Sequence, residues 1–277
     1  MIDVDIFFIN LDSATERRVS VEDSFGKNNF PRSWVLNRFP AIESSSEMVS
    51  KMPGPLTARQ KGCFLSHLEC AKMALSNNAK SYVMIAEDDV LFSKKTAVLI
   101  NELICNLPKD DWDVIYTDAA INGERSKEFI EYLLNIHDNF CMDGFVRVID
   151  LKGLPRFYSG TTCYLINKLS LQKFINKISD FIRLMEVENI SLPFDWCFQI
   201  LFSEGQLNSF LTFPFLTTVS GFAENSQVNE SNINISLIDN VFRNLMWIDS
   251  TSNNSILNER KRLIENFIEI KSMIMNL

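Results

Sequence analysis

One stretch limits the possible folds of this chain more than any other: Ser81-Tyr82-Val83-Met84-Ile85-Ala86-Glu87-Asp88-Asp89-Val90, an apolar run that ends in three adjacent carboxylates. The run from Tyr82 to Ile85 reads as a strand covered on both faces, since a short, continuous apolar segment is what such a strand requires. Three acids cannot share that interior. They belong just past the strand's carboxyl end, where open α/β sheets place their ligands. Side chains alternate along a strand, so Glu87 and Asp89 are expected on one side and Asp88 on the other. Two carboxylates on one side can share a cation bound to a polyanion, which reads as a divalent-metal site serving a nucleotide diphosphate. The plainer alternative is that the acids only solvate a strand end or cap the helix beginning near Ser93 to Ala97.

With 277 residues the chain can bury a full core. Its 27 basic side chains against 35 acidic ones give a net charge of −8, which argues against a general nucleic-acid binder. Asp3 and Asp5 stand where a secretory leader needs positive charge, and no window offers about twenty uncharged apolar residues. A cytoplasmic protein is expected. Cys63, Cys70, Cys105, Cys141, Cys163 and Cys197 form no Cys-x-x-Cys pair, and only His67 and His137 are available to join them, so reduced and mostly buried thiols are expected.

In chain order, Val4 to Asn10 reads as a first strand, and Ser13 with Glu16 as a capping box opening a helix that Gly26 stops. A strand, loop and helix at the start of an α/β chain often dock a nucleotide, with Arg17 and Arg18 in the first turns for phosphate or base contacts. Trp34 to Ile42 reads as a strand. Thr57 with Gln60 forms a second capping box for a helix that carries Gly62, Cys63, Ser66 and His67 and ends at Asn77-Asn78. No nucleophile elbow flanks Ser66, so a serine-nucleophile site is not indicated. Further expectations are a helix near 94–107, a strand near 113–117 with Asp118 at its end, a helix near 126–136 and a strand near 145–150. Small residues from Ser159 to Thr162 precede another strand and a helix near 169–178, and such residues allow a sugar or backbone to approach closely. Pro193-Phe194-Asp195-Trp196 opens a helix, and an acid beside an aromatic ring is a common sugar-binding pair. A last strand covers 206–213. Residues 1–220 are read as one domain and 221–277 as a Ser/Asn-rich loop and an amphipathic C-terminal helix. That helix is expected to pack back on the domain, with a dimer contact or a peripheral contact at the cytoplasmic face of the inner membrane as the alternative.

Several motifs line up with one family. Ile9-Asn10-Leu11, Glu16-Arg17-Arg18, Asp23-Ser24-Phe25-Gly26, Gly62-Cys63-Phe64-Leu65-Ser66-His67, Glu87-Asp88-Asp89-Val90, Gly160-Thr161-Thr162-Cys163-Tyr164-Leu165-Ile166 and Pro193-Phe194-Asp195 occur in collinear order. The chain resembles the bacterial lipooligosaccharide glycosyltransferases of family 25, especially the β-1,4-galactosyltransferase branch. The resemblance implies a single α/β domain of GT-A type, Rossmann-like, with a mainly parallel mixed sheet flanked by helices and a C-terminal helical tail. It also implies inverting transfer of a hexose, galactose first, from a UDP-sugar to a lipopolysaccharide, lipooligosaccharide or other cell-surface glycan. By that similarity Glu87 and Asp89 take the place of the Asp-x-Asp metal motif, with Mn²⁺ or Mg²⁺ as cofactor. Asn10, Leu11, Arg17, Arg18, Ser66, His67, Glu87, Asp88, Gly160, Thr161 and Thr162 line the nucleotide-sugar site. No histidine follows His137, so the late histidine with which many such enzymes complete the metal shell has no counterpart.

An inverting displacement needs a base opposite the leaving group, and Asp195 is expected in that role, with Asp118 and Glu224 as alternatives. A UDP-glucose or UDP-N-acetylhexosamine transferase is the nearest other reading. From other classes come a metal-dependent phosphohydrolase, for which two histidines are a thin supply, and a non-catalytic sugar-nucleotide-binding protein.

Overall fold

The computed structural model describes residues 2–77, 82–107, 111–121, 147–152, 158–222, 243, 246–248, 262, 265–266 and 269. In order these form β1 (Val4–Asn10), α1 (Thr15–Lys27), β2 (Trp34–Pro40), α2 (Glu47–Lys51), α3 (Ala58–Ser76), β3 (Tyr82–Glu87), β4 (Val90–Phe92), α4 (Thr96–Asn106), β5 (Val114–Tyr116) and β6 (Ala120–Ile121). There follow β7 (Arg147–Asp150), β8 (Tyr158–Ser159), β9 (Cys163–Asn167), α5 (Leu171–Glu188), α6 (Phe194–Ser203), β10 (Ser209–Phe213) and β11 (Thr217–Val219). The expected helix near 126–136 lies outside the described residues, as does most of the C-terminal tail.

Seven strands form one sheet in the order β2-β1-β3-β9-β5-β10-β7. β2, β1 and β3 are mutually parallel, β9 runs against both β3 and β5, β10 is parallel to β5, and β7 closes the edge antiparallel. Five of the seven strands therefore point the same way, giving the mixed, mainly parallel α/β sheet anticipated from sequence.

Strand periodicity sorts the core into two layers. Phe7, Ile9, Val83, Ile85, Tyr164 and Ile166 face one side, where they pack with Phe64, Leu68 and Ala71 of α3, Phe174 and Ile178 of α5, and Phe198 of α6. Ile6, Phe8, Met84, Ala86 and Leu165 face the other, against Val21 of α1 and Leu99, Ile100 and Leu103 of α4. The chain thus leaves β1 by α1 on one face to reach β2, then returns by α3 on the opposite face to reach β3 on β1's other side. Where connections diverge in this way, the carboxyl ends of the two central strands are left uncovered and a crevice opens between them. Asn10 ends β1 at that crevice and Glu87 ends β3.

The Thr57 capping box forms in full, with the Thr57 hydroxyl on the Gln60 N–H and the Gln60 side chain on the Thr57 N–H. The Ser13 box does not form. Helix α1 is capped by Ala14 without a side-chain bond, so Ser13 and Glu16 are each one position out of register for the exchange. The helix also continues through Gly26 to Lys27. Helix α5 runs ten residues past the expected end at 178, to Glu188, where Asn189 adopts a left-handed conformation.

Part of the segment read as a long loop belongs to the core. Phe215 donates its N–H to the Met246 carbonyl at 2.9 Å and accepts from Ile248 N–H at 3.1 Å, and both Met246 and Ile248 are fully buried. Among the described residues no helix is long and apolar enough to cross a membrane. Cys63, Cys70, Cys105, Cys163 and Cys197 are free thiols, and burial raises Cys163 to about 12.

Candidate functional site at the carboxyl end of the sheet

Tyr82 to Ala86 are buried and leave no room for charge, so the three acids fall where β3 ends and the chain turns into β4. They line a cleft of about 530 Å³ together with Ile9 of β1, Leu11 and Ser13 of the turn that follows, Arg17 of α1, residues 41–44 after β2, and Arg59, Gly62, Cys63, Ser66 and His67 from α3.

Each carboxylate has its own surroundings. Asp88 turns toward β1 and α1, accepting from Asn10 Nδ2 at 2.8 Å and from Arg17 Nη1 at 2.8 Å. Glu87 turns toward β9, taking the Thr161 hydroxyl on Oε1 at 2.5 Å, with His67 Nε2 3.7 Å from the same oxygen. Burial works against the Glu87 charge, but His67, Thr161 and Arg243 outweigh it and hold the carboxyl below its usual range. At Asp89 the charges of Arg243 and Arg17 are too little to offset burial. Its Oδ1 is buried with no hydrogen-bond partner among the described residues, and burial, reinforced by Glu87, pushes its pKa up to about 7. The expected alternation holds for Glu87 and Asp88, but the chain turns at Asp88-Asp89, so strand geometry does not align Asp89 with Glu87.

The residues predicted to accompany the acids divide into several groups. Leu11 and Arg17 face the cleft, and Arg17 also donates to the Phe222 carbonyl at 2.7 Å. Arg18, about 100° further round the helix, is exposed and pairs with Glu22 instead. Asn10 is a scaffold residue: its amide spans Asp88 and the Ala14 carbonyl, and its Oδ1 accepts from Arg38. Ser66 lines the cleft with its hydroxyl already engaged, accepting from Ile42 N–H at 2.8 Å and donating to the Gly62 carbonyl. His67 is buried, with Nδ1 3.0 Å from the Tyr164 hydroxyl and its ring stacked on Phe194 at 4.5 Å. Gly160, Thr161 and Thr162 come together between β8 and β9. Gly160 adopts φ 85°, which a side chain would resist, and its N–H faces the Asp195 carboxylate and favours its charged form.

Asp195 sits in the first turn of α6, where its own N–H and that of Trp196 favour the charged carboxylate. Burial raises its pKa, and the nearby Glu87 charge adds to that against the pull of the N–H groups. The Cys63 thiol is raised first by burial, then by the charges of Glu87 and Asp195. Asp118 is buried and bonded to Arg243, while Glu224 lies outside the described residues.

Sequence reasoning missed Arg59 and Arg243. Arg59 stood inside the Thr57 capping box, where its place in the first turn of α3 was the available signal. Nothing in the local pattern marked Arg243.

The cation question turns on free donors. No group of three or more His, Cys, Asp or Glu side chains among the described residues is arranged to hold a metal. One unpartnered, buried carboxylate oxygen beside a second carboxylate nevertheless suits a hard cation that takes its other ligands from phosphates and water.

The crevice opens at a strand switch point of an α/β sheet, where such sheets hold their ligands, and is walled by carboxylates and arginines. The profile of Glycosyltransferase family 25 (LPS biosynthesis protein) matches residues 3–191, and the chain belongs to that family. It is 33% identical over 91 residues to the lacto-N-neotetraose biosynthesis glycosyltransferase LgtB of Neisseria meningitidis serogroup B, a match covering 31% of this chain and 33% of the relative. This chain therefore spans about a third of that relative's length. Against LgtB of Neisseria gonorrhoeae the identity is 25% over 178 residues, covering 62% of this chain and 60% of the relative. The crystal structure of the galactosyltransferase LgtC with donor and acceptor sugar analogues is similar at a TM-score of 0.41 and 14% identity, over 74% of this chain and 72% of that one.

Proposed function

We propose that the cleft binds a UDP-hexose, galactose first among the hexoses, and that the protein transfers the sugar with inversion to a hydroxyl of a surface-glycan acceptor such as lipooligosaccharide. The observation that carries this reading is the set of three diverging carboxylates at the end of β3, with Asp89 Oδ1 buried and unpartnered among the described residues, at a cleft that also holds Arg17 and Arg59. Asp89, with Glu87 beside it, would hold Mn²⁺ or Mg²⁺, and the bound ion would neutralise charge on the diphosphate. Asp88 stays on Asn10 and Arg17, fixing the guanidinium at the cleft wall where it faces the anionic donor.

Asp195 takes the proton of the attacking acceptor hydroxyl on its carboxylate. A raised pKa makes it a stronger acceptor of that proton, and the N–H groups of Gly160 and Trp196 fix its orientation. Family membership supports the transferase class over a phosphohydrolase, and relatives named for lacto-N-neotetraose biosynthesis support a glycan acceptor. No nucleic-acid partner is proposed for a chain of net charge −8. The Asp195→Asn variant tests the assignment: turnover falls by about 10² or more while UDP-sugar binding is kept. Turnover near wild type would remove Asp195 from the role. Incubation of the wild type with UDP-sugars and Mn²⁺ separates the classes. Slow loss of sugar to water supports a transferase, attack on simple phosphate esters a hydrolase, and binding without turnover a binding protein.

A further inference from the structure

We infer that Arg243 is a positioning residue: it braces the segment 160–162, and through that segment it holds Glu87 and Asp195 in place together. Its guanidinium is buried, and one nitrogen, Nη2, donates both to Asp118 Oδ2 and to Thr162 Oγ1, the latter at 2.6 Å. Asp118, 2% exposed, follows β5 on the same edge of the sheet as Glu87. From Thr162 the connection runs directly to the acids. The Thr162 carbonyl accepts the Glu87 N–H at 2.8 Å and the Thr161 hydroxyl bonds Glu87 Oε1, while the Gly160 N–H faces the Asp195 carboxylate and helps to lower its pKa. On its outer side the segment is pressed against β6, where a Cβ on Gly160 would stand 3.1 Å from Ala120 Cβ.

Three small residues thus carry both carboxylates, and the guanidinium ties them to Asp118 at the end of β5. The tie is stiff because neither buried charge can leave its partner without being stranded in a medium of low polarity. Arginine suits the role better than lysine, since the planar guanidinium holds the two N–H donors of Nη2 in a fixed geometry. Arg243 also lies beyond the matched residues 3–191, so the brace comes from a part of the chain that the family profile does not cover.

The consequence for turnover rests on the transferase reading, whereas the bracing itself does not, and two measurements on the full chain separate them. The first is amide hydrogen exchange in peptides spanning 158–165, compared among wild type, Arg243→Met, Arg243→Lys and Thr162→Val. Exchange there should speed up about tenfold in Arg243→Met and Thr162→Val, with α3 unchanged and Arg243→Lys in between. The second is turnover of a UDP-sugar: kcat should fall about 30-fold in Arg243→Met, with donor KM within about threefold of wild type. If Arg243→Met does not fold, Thr162→Val carries the test, because it removes one hydroxyl and keeps the shape. Wild-type exchange rates in the folded variants overturn the brace, and faster exchange with unchanged kcat overturns its positioning role. A wild type that turns over no donor overturns the transferase reading, and the exchange rates still decide the brace.

Discussion

Neighbours in sequence, Glu87, Asp88 and Asp89 do three different jobs because each finds a different environment within a few ångströms. Asp88 is neutralised by Arg17, Glu87 is held by Thr161 and His67, and Asp89 keeps a buried oxygen without a donor among the described residues. Asp89 therefore carries a stability penalty that depends on pH. Its folded-state pKa is about 7 against an ordinary 3.8, so between those values the folded protein holds a proton that the unfolded chain has released. Stability from this group is complete below about pH 4 and is lost as pH rises through 7. Thermal melts should show Asp89→Asn more stable than wild type at pH 8 by about 2 kcal/mol, after allowance for screening of a partly exposed residue, with the gap closing toward pH 4. A gap that is the same at both pH values contradicts this account. The acids themselves could be read from sequence, because an apolar run ending in carboxylates has few places to go. Their partners could not, since Arg17 and Asp88 lie 71 positions apart and only the pairing of β1 with β3 brings them together.

Among the elements, α3 contributes most to the cleft's shape. Its capping box was legible because both partners lie within one turn, and Thr57→Ala should cost about 1 kcal/mol in denaturant unfolding. The equivalent reading at Ser13 failed because α1 starts one residue later, which no local pattern distinguishes. Gly62 shows a tertiary demand on a helical residue: a Cβ there would meet the Ile42 carbonyl oxygen at 2.7 Å. An alanine at this position gains about 1 kcal/mol of helix propensity yet must push back the 41–44 wall. Gly62→Ala is expected to destabilise by about 1–2 kcal/mol net and to weaken UDP binding. Unchanged binding by the variant would show that the wall does not contact the nucleotide.

At the scale of the whole molecule, the sequence revealed the class of sheet but not its order. β9 enters between β3 and β5, antiparallel to both, and so delivers Gly160 to Thr162 to the acids. Strand order depends on which long-range pairings bury the most surface, and periodicity carries no record of it. Ser and Asn dominate the composition after residue 220 and point to a loop, whereas among its described residues Arg243, Met246 and Ile248 are buried, and composition carries no sign of them. If those residues are integral to the core, Ile248→Ala costs about 2–5 kcal/mol, whereas a detached lid would lose almost nothing on the same substitution. The central claim, that the carboxylates closing β3 hold a cation at the donor diphosphate, is tested most directly by calorimetric titration of UDP with and without Mn²⁺. The wild type should bind UDP about tenfold more tightly with Mn²⁺, and Asp89→Asn should lose that increment while keeping the metal-independent part. UDP affinity indifferent to Mn²⁺, or an increment that survives in Asp89→Asn, would contradict it.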